Sequence, residues 1–255
     1  MRLFAYTAAL TALLASSALA QPAEINVFTP GVVYNSGIQD LAASYTRETG
    51  IKVTVKSEGM SQLVNDVKKG TPVADIVVAP VSFMDGMQAE GSVVPGTATD
   101  IGRVYVGLAV RKGAPHPDIS TPAKLGAALK GGVVMYSNPA SGSMEARIID
   151  DMLHQYPYFQ GVKTKISIKG EGGEALVKGE GDMALQLICE VLNHPELELV
   201  GTVPPELHAY IDTQVAVSAR STQADAAKAF IAYMLRPDHS ALWKSKGLER
   251  KPENH

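Results

Sequence analysis

A single cysteine, Cys189, is the only thiol in the 255 residues, so no disulfide can close within the chain. Set at the end of the apolar run Met183 to Cys189, it reads as a small buried hydrophobe. The six histidines are scattered, with no His-x-x-x-His pair and no cysteine at ligand spacing, which argues against a zinc site. No Gly-x-Gly-x-x-Gly follows a strand, and neither a Walker loop nor a Gly-x-Ser-x-Gly elbow occurs. Neither metal nor cofactor is expected. The 23 Lys plus Arg are outnumbered by 26 Asp plus Glu and form no basic run, so the chain has no electrostatic footprint for nucleic acid. Beyond the N-terminal segment, no apolar run is long enough to cross a membrane as a helix.

What is present begins with MRLFAYTAALTALLASSALA. Basic Arg2, an apolar stretch from Leu3 to Leu14 and small Ala18 and Ala20 before Gln21 make residues 1–20 a secretory signal peptide, and the expected location is the periplasm. The remainder is long enough for two lobes with cores of their own. A boundary is expected near residue 103, giving one lobe from 21–102 plus 206–255 and a second from 103–205.

Apolar strands alternate with amphipathic helices along the chain. Ile25 to Phe28 is read as a strand, Thr29-Pro30-Gly31 as a loop, and Ser36 to Thr49 as a helix with Ile38, Leu41, Ala42 and Tyr45 on one face. Further strands are expected over Ile51 to Val55, IVVA after Asp75, Val104 to Val110, Gly132 to Tyr136, Lys165 to Ile168, Met183 to Ile188 and Ile211 to Val217. Helices are expected through Leu63 and Val67, Leu125 and Leu129, Met144 to His154, Leu176 and Val177, and Ala224 to Leu235, with Trp243 and Leu248 packing the tail. This order implies an α/β fold with mostly parallel sheets flanked by helices.

In such sheets a ligand sits beyond the carboxyl ends of the strands, where helix N-termini offer free amides and a positive dipole. Four loops of unusual composition fall there: TPGVVYNS from Thr29, KSEGMS from Lys56, SNPASGS from Ser137 and KGEGGE from Lys169. Candidate ligand contacts are therefore Thr29, Gly31, Val32, Tyr34, Gly59 and Ser61 on one side, and Asn138, Ser141, Gly142, Ser143 and Gln186 on the other. Simple helix capping accounts for one Ser or Asn per loop but not for the whole Ser141-Gly142-Ser143 run. Arg103, just before an apolar strand, is a candidate guanidinium clamp for a carboxylate, with a solvated surface position as the alternative. Glu58 repels an anion unless it is protonated or acts as a base.

The chain resembles the type II periplasmic binding proteins, in particular the molybdate-binding-like receptors of ABC importers. The resemblance rests on INVFTPGVVYNSGIQDLAASYTRETGIKVTV, GTPVADIVVAP, IGRVYVGLAVRKGAP, the SNPASG loop and AFIAYMLRPDHSALWKSKGLE. It implies two α/β lobes joined by crossing strands, a small anion enclosed between them, a monomer that is not embedded in the membrane, and an inner-membrane ABC permease as partner. Where molybdate receptors place serines in the first two loops, this chain reads Pro30-Gly31-Val32 and Ser57-Glu58-Gly59. Loss of those hydroxyls, together with the presence of Arg103 and polar Asn138, Ser141 and Gln186, favours a di- or tricarboxylate over molybdate or tungstate. One branch of the family holds an aconitate isomerase, and on that alternative Glu58, Tyr34 and His208 are the candidates for a cofactor-free allylic proton shift.

Overall fold

The computed structural model describes residues 24–250 apart from Lys169; the expected signal peptide lies outside them. Strand β1 (Glu24–Thr29) leads into α1 (Gly31–Val33), a π turn (Tyr34–Ile38) and α2 (Gln39–Thr49). β2 (Lys52–Ser57), α3 (Met60–Lys69), β3 (Ile76–Pro80) and α4 (Val81–Ala89) complete the first strand-helix series. The long β4 (Thr99–Arg111) enters the second series, which runs α5 (Pro122–Leu129), β5 (Val133–Ser137), α6 (Met144–Gln155), β6 (Lys163–Ser167), α7 (Gly172–Val177), β7 (Met183–Leu187), α8 (Ile188–Val191) and β8 (Leu197–Thr202). β9 (Tyr210–Val217), α9 (Ala224–Met234), α10 (Ser240–Ser245) and the short β10 (Leu248–Glu249) return to the first lobe.

The two lobes share β4. Its first half pairs with β9 in the order β2-β1-β3-β9-β4, and its second half pairs with β7 in the order β4-β7-β5-β6, with β8 also hydrogen-bonded to it. Strands β2, β1 and β3 are mutually parallel, as are β6, β5 and β7. The strands at the junction are the antiparallel exceptions in these mostly parallel sheets: β9 runs antiparallel to β3 and to β4, and β4 antiparallel to β7. Their partners lie about a hundred residues away in sequence, so local periodicity cannot report their direction. A second crossing lies beside β4, where the Val106 amide donates to the Ala209 carbonyl and its own carbonyl accepts from Val203.

Strand pleating sorts the core. Ile25 and Val27 point to one face of the first sheet, where they join Leu41 and Tyr45 of α2 and Phe230 of α9. Phe28 points to the other, against Leu63 and Val67 of α3 and Met84 and Met87 of α4. Tyr45 is flanked by the rings of Phe230 and Tyr233 at 5.1 and 5.0 Å. Trp243 and Leu248 are fully buried, and Cys189 is a buried free thiol. The structure corrects one boundary near the cleft. Residues expected to form a loop are helical from Gly31 onward, and the chain bends at Gly37, φ +107°, where the side chain of Lys246 passes. Among the described residues no helix is long and apolar enough to cross a membrane.

Candidate functional site

Between the lobes lies a cleft of about 810 Å³. The first lobe contributes the end of β1 and the start of the helix after it. Thr29 is fully buried, and its hydroxyl donates to the Pro30 carbonyl, so Gly31 and Val32, not Thr29, border the opening. Beside them the Glu58 amide donates to the Thr29 carbonyl at 3.0 Å, which brings the end of β2 alongside β1. Gly59 then caps α3, and Gly59, Met60, Ser61, Gln62 and Asn65 line this wall with Pro80 and Phe83.

Glu58 itself faces the cleft. Its Oε1 binds Lys56 Nζ at 2.5 Å, only 7% of its side chain is exposed, and Oε2 has no hydrogen-bond donor among the described residues. Lys56 also reaches Asp66, at 3.4 Å, and the hydrogen bond to Glu58 is the main reason its ammonium is held above the usual range.

The second lobe builds its wall from SNPASGS. Asn138 closes its own turn: Oδ1 accepts from the Ala140 amide at 2.9 Å, and its carbonyl accepts from the Ser141 hydroxyl at 2.7 Å. Gly142 takes the left-handed conformation, φ +85°, and Ser143 caps α6 by accepting from the Ala146 amide at 3.3 Å. Ser141, Gly142, Ser143, Met144, Glu145 and Arg147 border the cleft, so the N-terminus of a twelve-residue helix opens directly on it. Leu187, Glu190 and Ile211 complete the lining.

Gln186 stands behind this wall. Fully buried, it accepts from the Gly173 amide through Oε1 and donates through Nε2 to Glu171 and, at 3.1 Å, to Glu190. A side chain on Gly173 would collide with that carbonyl oxygen, so the approach needs glycine. Glu145 and Glu190 are 6% and 9% exposed. Glu145 accepts from the Leu187 amide at 3.3 Å, next along the chain from the Gln186 that holds Glu190, and the two carboxyls act on one another. Burial, followed by the charge of Glu171, pushes the Glu145 carboxyl up to about 7. Burial and the charges of Glu145 and Glu171 push Glu190 well above the carboxylate range.

Eight of the sequence candidates thus meet at one opening: Gly31, Val32, Glu58, Gly59, Ser61, Ser141, Gly142 and Ser143. Tyr34 lies in the π turn and His208 is an exposed left-handed residue with φ +52°, and neither borders the cleft. Thr29, Asn138 and Gln186 support the walls from behind. Arg103 is taken up elsewhere: Nε and Nη2 donate to the two oxygens of Asp212 at 2.7 and 2.9 Å, and the guanidinium lies 3.4 Å from the centre of the Tyr210 ring. Sequence reasoning passed over Arg147 and Glu145. Both follow Ser143 within one helical turn, where an acidic residue reads as dipole compensation and an arginine as surface.

The curated relatives extend over nearly the whole chain. An aconitate isomerase from Pseudomonas sp is 28% identical over 249 residues, 94% of each chain. The molybdate-binding protein ModA of Escherichia coli K12 is 24% identical over 252 residues, 96% of each. The fold is similar to that of the periplasmic molybdate-binding protein of Azotobacter vinelandii, with a TM-score of 0.70 and 14% identity over 89% of this chain and 100% of that one. A family model described as bacterial extracellular solute-binding protein matches residues 25–249, and the chain belongs to that family.

Proposed function

We propose that the chain captures a small di- or tricarboxylate in the cleft between its lobes. The observation that carries this reading is the composition of the walls. One exposed arginine, Arg147, and the amides at the starts of α3 and α6 attract negative charge. Three carboxyl side chains, those of Glu58, Glu145 and Glu190, oppose it. A tetrahedral oxyanion with two full charges and no proton meets repulsion from such a wall. A polycarboxylate is elongated, can place one end on Arg147, and can share a proton with a neighbouring carboxyl. On this reading the protein is a periplasmic monomer whose two lobes close on the ligand about the β4 crossing and deliver it to an inner-membrane ABC permease.

A second reading is supported by Glu58 and by the likeness to aconitate isomerase. Interconversion of trans- and cis-aconitate by allylic transfer removes a proton from the methylene carbon and returns one to the former vinyl carbon as the double bond moves. No oxidant or cofactor enters. An enclosed carboxylate base and a neutral carboxyl acid suffice, and the cleft lining holds both kinds of group in Glu58 and the Glu145–Glu190 pair.

One experiment tests both. Titration calorimetry of the mature chain with tricarballylate, trans-aconitate and molybdate is expected to give heats with the carboxylates and none with molybdate. The reverse pattern would overturn the carboxylate reading. A proton NMR time course with trans-aconitate then separates a receptor, which leaves the vinyl signals unchanged, from an isomerase, which produces those of the cis isomer.

A further inference from the structure

Two acidic side chains buried close together favour holding a proton, because two bare carboxylates offer only acceptors and repel one another. Glu145 and Glu190 are such a pair, and their surroundings fix it. Glu190 is held by Gln186 at 3.1 Å, Glu145 by the Leu187 amide at 3.3 Å, and each is at least nine-tenths buried while bordering the cleft. A purely structural pair is expected within a lobe; this one faces the space between lobes. Across the same cleft stands Glu58, whose buried Oε2 receives no hydrogen bond from the described residues.

We propose that Glu145 and Glu190 act as a proton-sharing pair that receives one carboxylate of the ligand, so that capture of the ligand requires the pair to keep its proton. The inference rests on the reading of the cleft as a polycarboxylate site. With the proton present, Glu190 can turn its O–H toward a ligand carboxylate, an O–H···O⁻ bond of the strong, charge-assisted kind, while Glu145 keeps its bond from the Leu187 amide. No covalent bond other than O–H is involved, and no co-reactant is needed. With the proton lost, two largely buried charges face the ligand, and the carboxylate is repelled.

Among the described residues, the other titratable and charged groups around the pair are these. Glu171, just before α7, adds negative charge, and it is itself 3.9 Å from His194. Cys189 is buried beside Glu190, and burial keeps its thiol protonated. Arg147 on α6 and, on the opposite wall, Glu58 with Lys56 complete the set. The pair also carries selectivity, since it rewards a ligand able to share a proton and penalises one that presents permanent charge alone.

The test is calorimetric titration of tricarballylate and trans-aconitate from about pH 7 to about pH 9, above the ligands' own last titration, in two buffers of different ionisation enthalpy. Wild type is expected to lose affinity as pH rises, approaching about tenfold per pH unit once the pair titrates, with uptake of up to about one proton per ligand. Glu190→Gln supplies a permanent N–H donor in place of the titrating O–H, so its affinity is expected to fall less steeply with pH than that of wild type, and to be flat in the double variant Glu145→Gln/Glu190→Gln. The two-buffer measurement on wild type needs no variant and stands if Glu190→Gln does not fold. Carboxylate binding that is flat with pH and takes up no proton overturns the inference and leaves the carboxylate reading intact. A pH slope that survives unchanged in the double variant Glu145→Gln/Glu190→Gln also overturns it, assigning the proton to a group outside the pair. Absence of binding by either probe overturns both.

Discussion

Arg103 and Asp212 face one another on adjacent antiparallel strands at the junction of the two lobes, joined by paired hydrogen bonds of 2.7 and 2.9 Å. The hydrogen bonds to Asp212 hold the guanidinium well above the ordinary arginine range, and Tyr210 stacks beneath it at 3.4 Å. Ile211, one residue along β9, points the opposite way and lines the cleft. The pair therefore fastens the crossing strands on the face turned away from the ligand.

The first prediction follows from that placement. Arg103→Ala is expected to lower stability by about 1–3 kcal/mol, because it leaves Asp212 partly buried without its cation and removes the stacking on Tyr210. Carboxylate affinity is expected to change less than about threefold. Thermal melts with calorimetric titration check this, and a loss of affinity without a loss of stability would return Arg103 to the role of a ligand clamp.

Arg147 is the cation that does border the cleft, exposed at the first turn of α6. Arg147→Ala is expected to weaken tricarballylate binding by at least about tenfold while leaving the melting temperature nearly unchanged, as for most exposed side chains without a buried partner. Lysine at the same position is expected to restore only part of the affinity, since it cannot bind a carboxylate bidentately. Equal affinities for all three proteins would show that the helix amides hold the anion without help.

Glu145 makes stability depend on pH even without ligand. Its folded-state carboxyl is raised to about 7 from an ordinary 4.5, chiefly by burial, so the folded protein holds a proton that the unfolded chain releases earlier. A raised carboxylate contributes stability below its unfolded value, and that contribution is lost as pH climbs from about 4.5 to about 7. Burial and the charges of Glu145 and Glu171 raise Glu190 as well, and it adds to the same trend. Melting temperatures of the ligand-free protein are expected to fall over this range, and to fall less steeply in Glu145→Gln. Superimposable pH profiles for the two proteins would mean that Glu145 is already ionised when folded.

These residues also show what the sequence made legible. The loops TPG, SEGMS and SGS were identifiable because each breaks an apolar strand just before an amphipathic helix, a local signal, and the structure brings Gly31, Gly59 and Ser143 to one cleft. Arg103 was not legible, since its partner Asp212 lies 109 positions away and only the pairing of β4 with β9 joins them. Glu145 was hidden for another reason. An acidic residue just after an N-cap has an ordinary explanation in the helix dipole, and the approach of Glu190 from α8 makes it part of a buried acidic pair. Gln186 looked like a ligand contact because it sits near a strand end, yet the pleat turns it behind the wall, toward Gly173 and Glu171. Local pattern located the walls; which polar groups face inward depended on contacts distant in sequence.

Glu58 separates the two functions proposed for the cleft. Its side chain is 7% exposed and tied to Lys56 at 2.5 Å, and Lys56 retains Asp66 as a second partner, so Glu58→Gln is expected to fold with only a small loss of stability. In a receptor the carboxylate is a source of repulsion, and its neutral isostere is expected to bind tricarballylate as well as wild type or up to about tenfold more tightly. In an isomerase the same change removes the base: trans-aconitate still binds, while turnover falls by a factor of roughly 10²–10⁴, the range typical of general-base catalysis. Affinity and the NMR rate, measured on the same preparation, distinguish the cases. Tighter binding with no conversion by either protein identifies a receptor. Retained binding with conversion abolished identifies a catalytic base, and conversion at the wild-type rate removes Glu58 from the mechanism altogether.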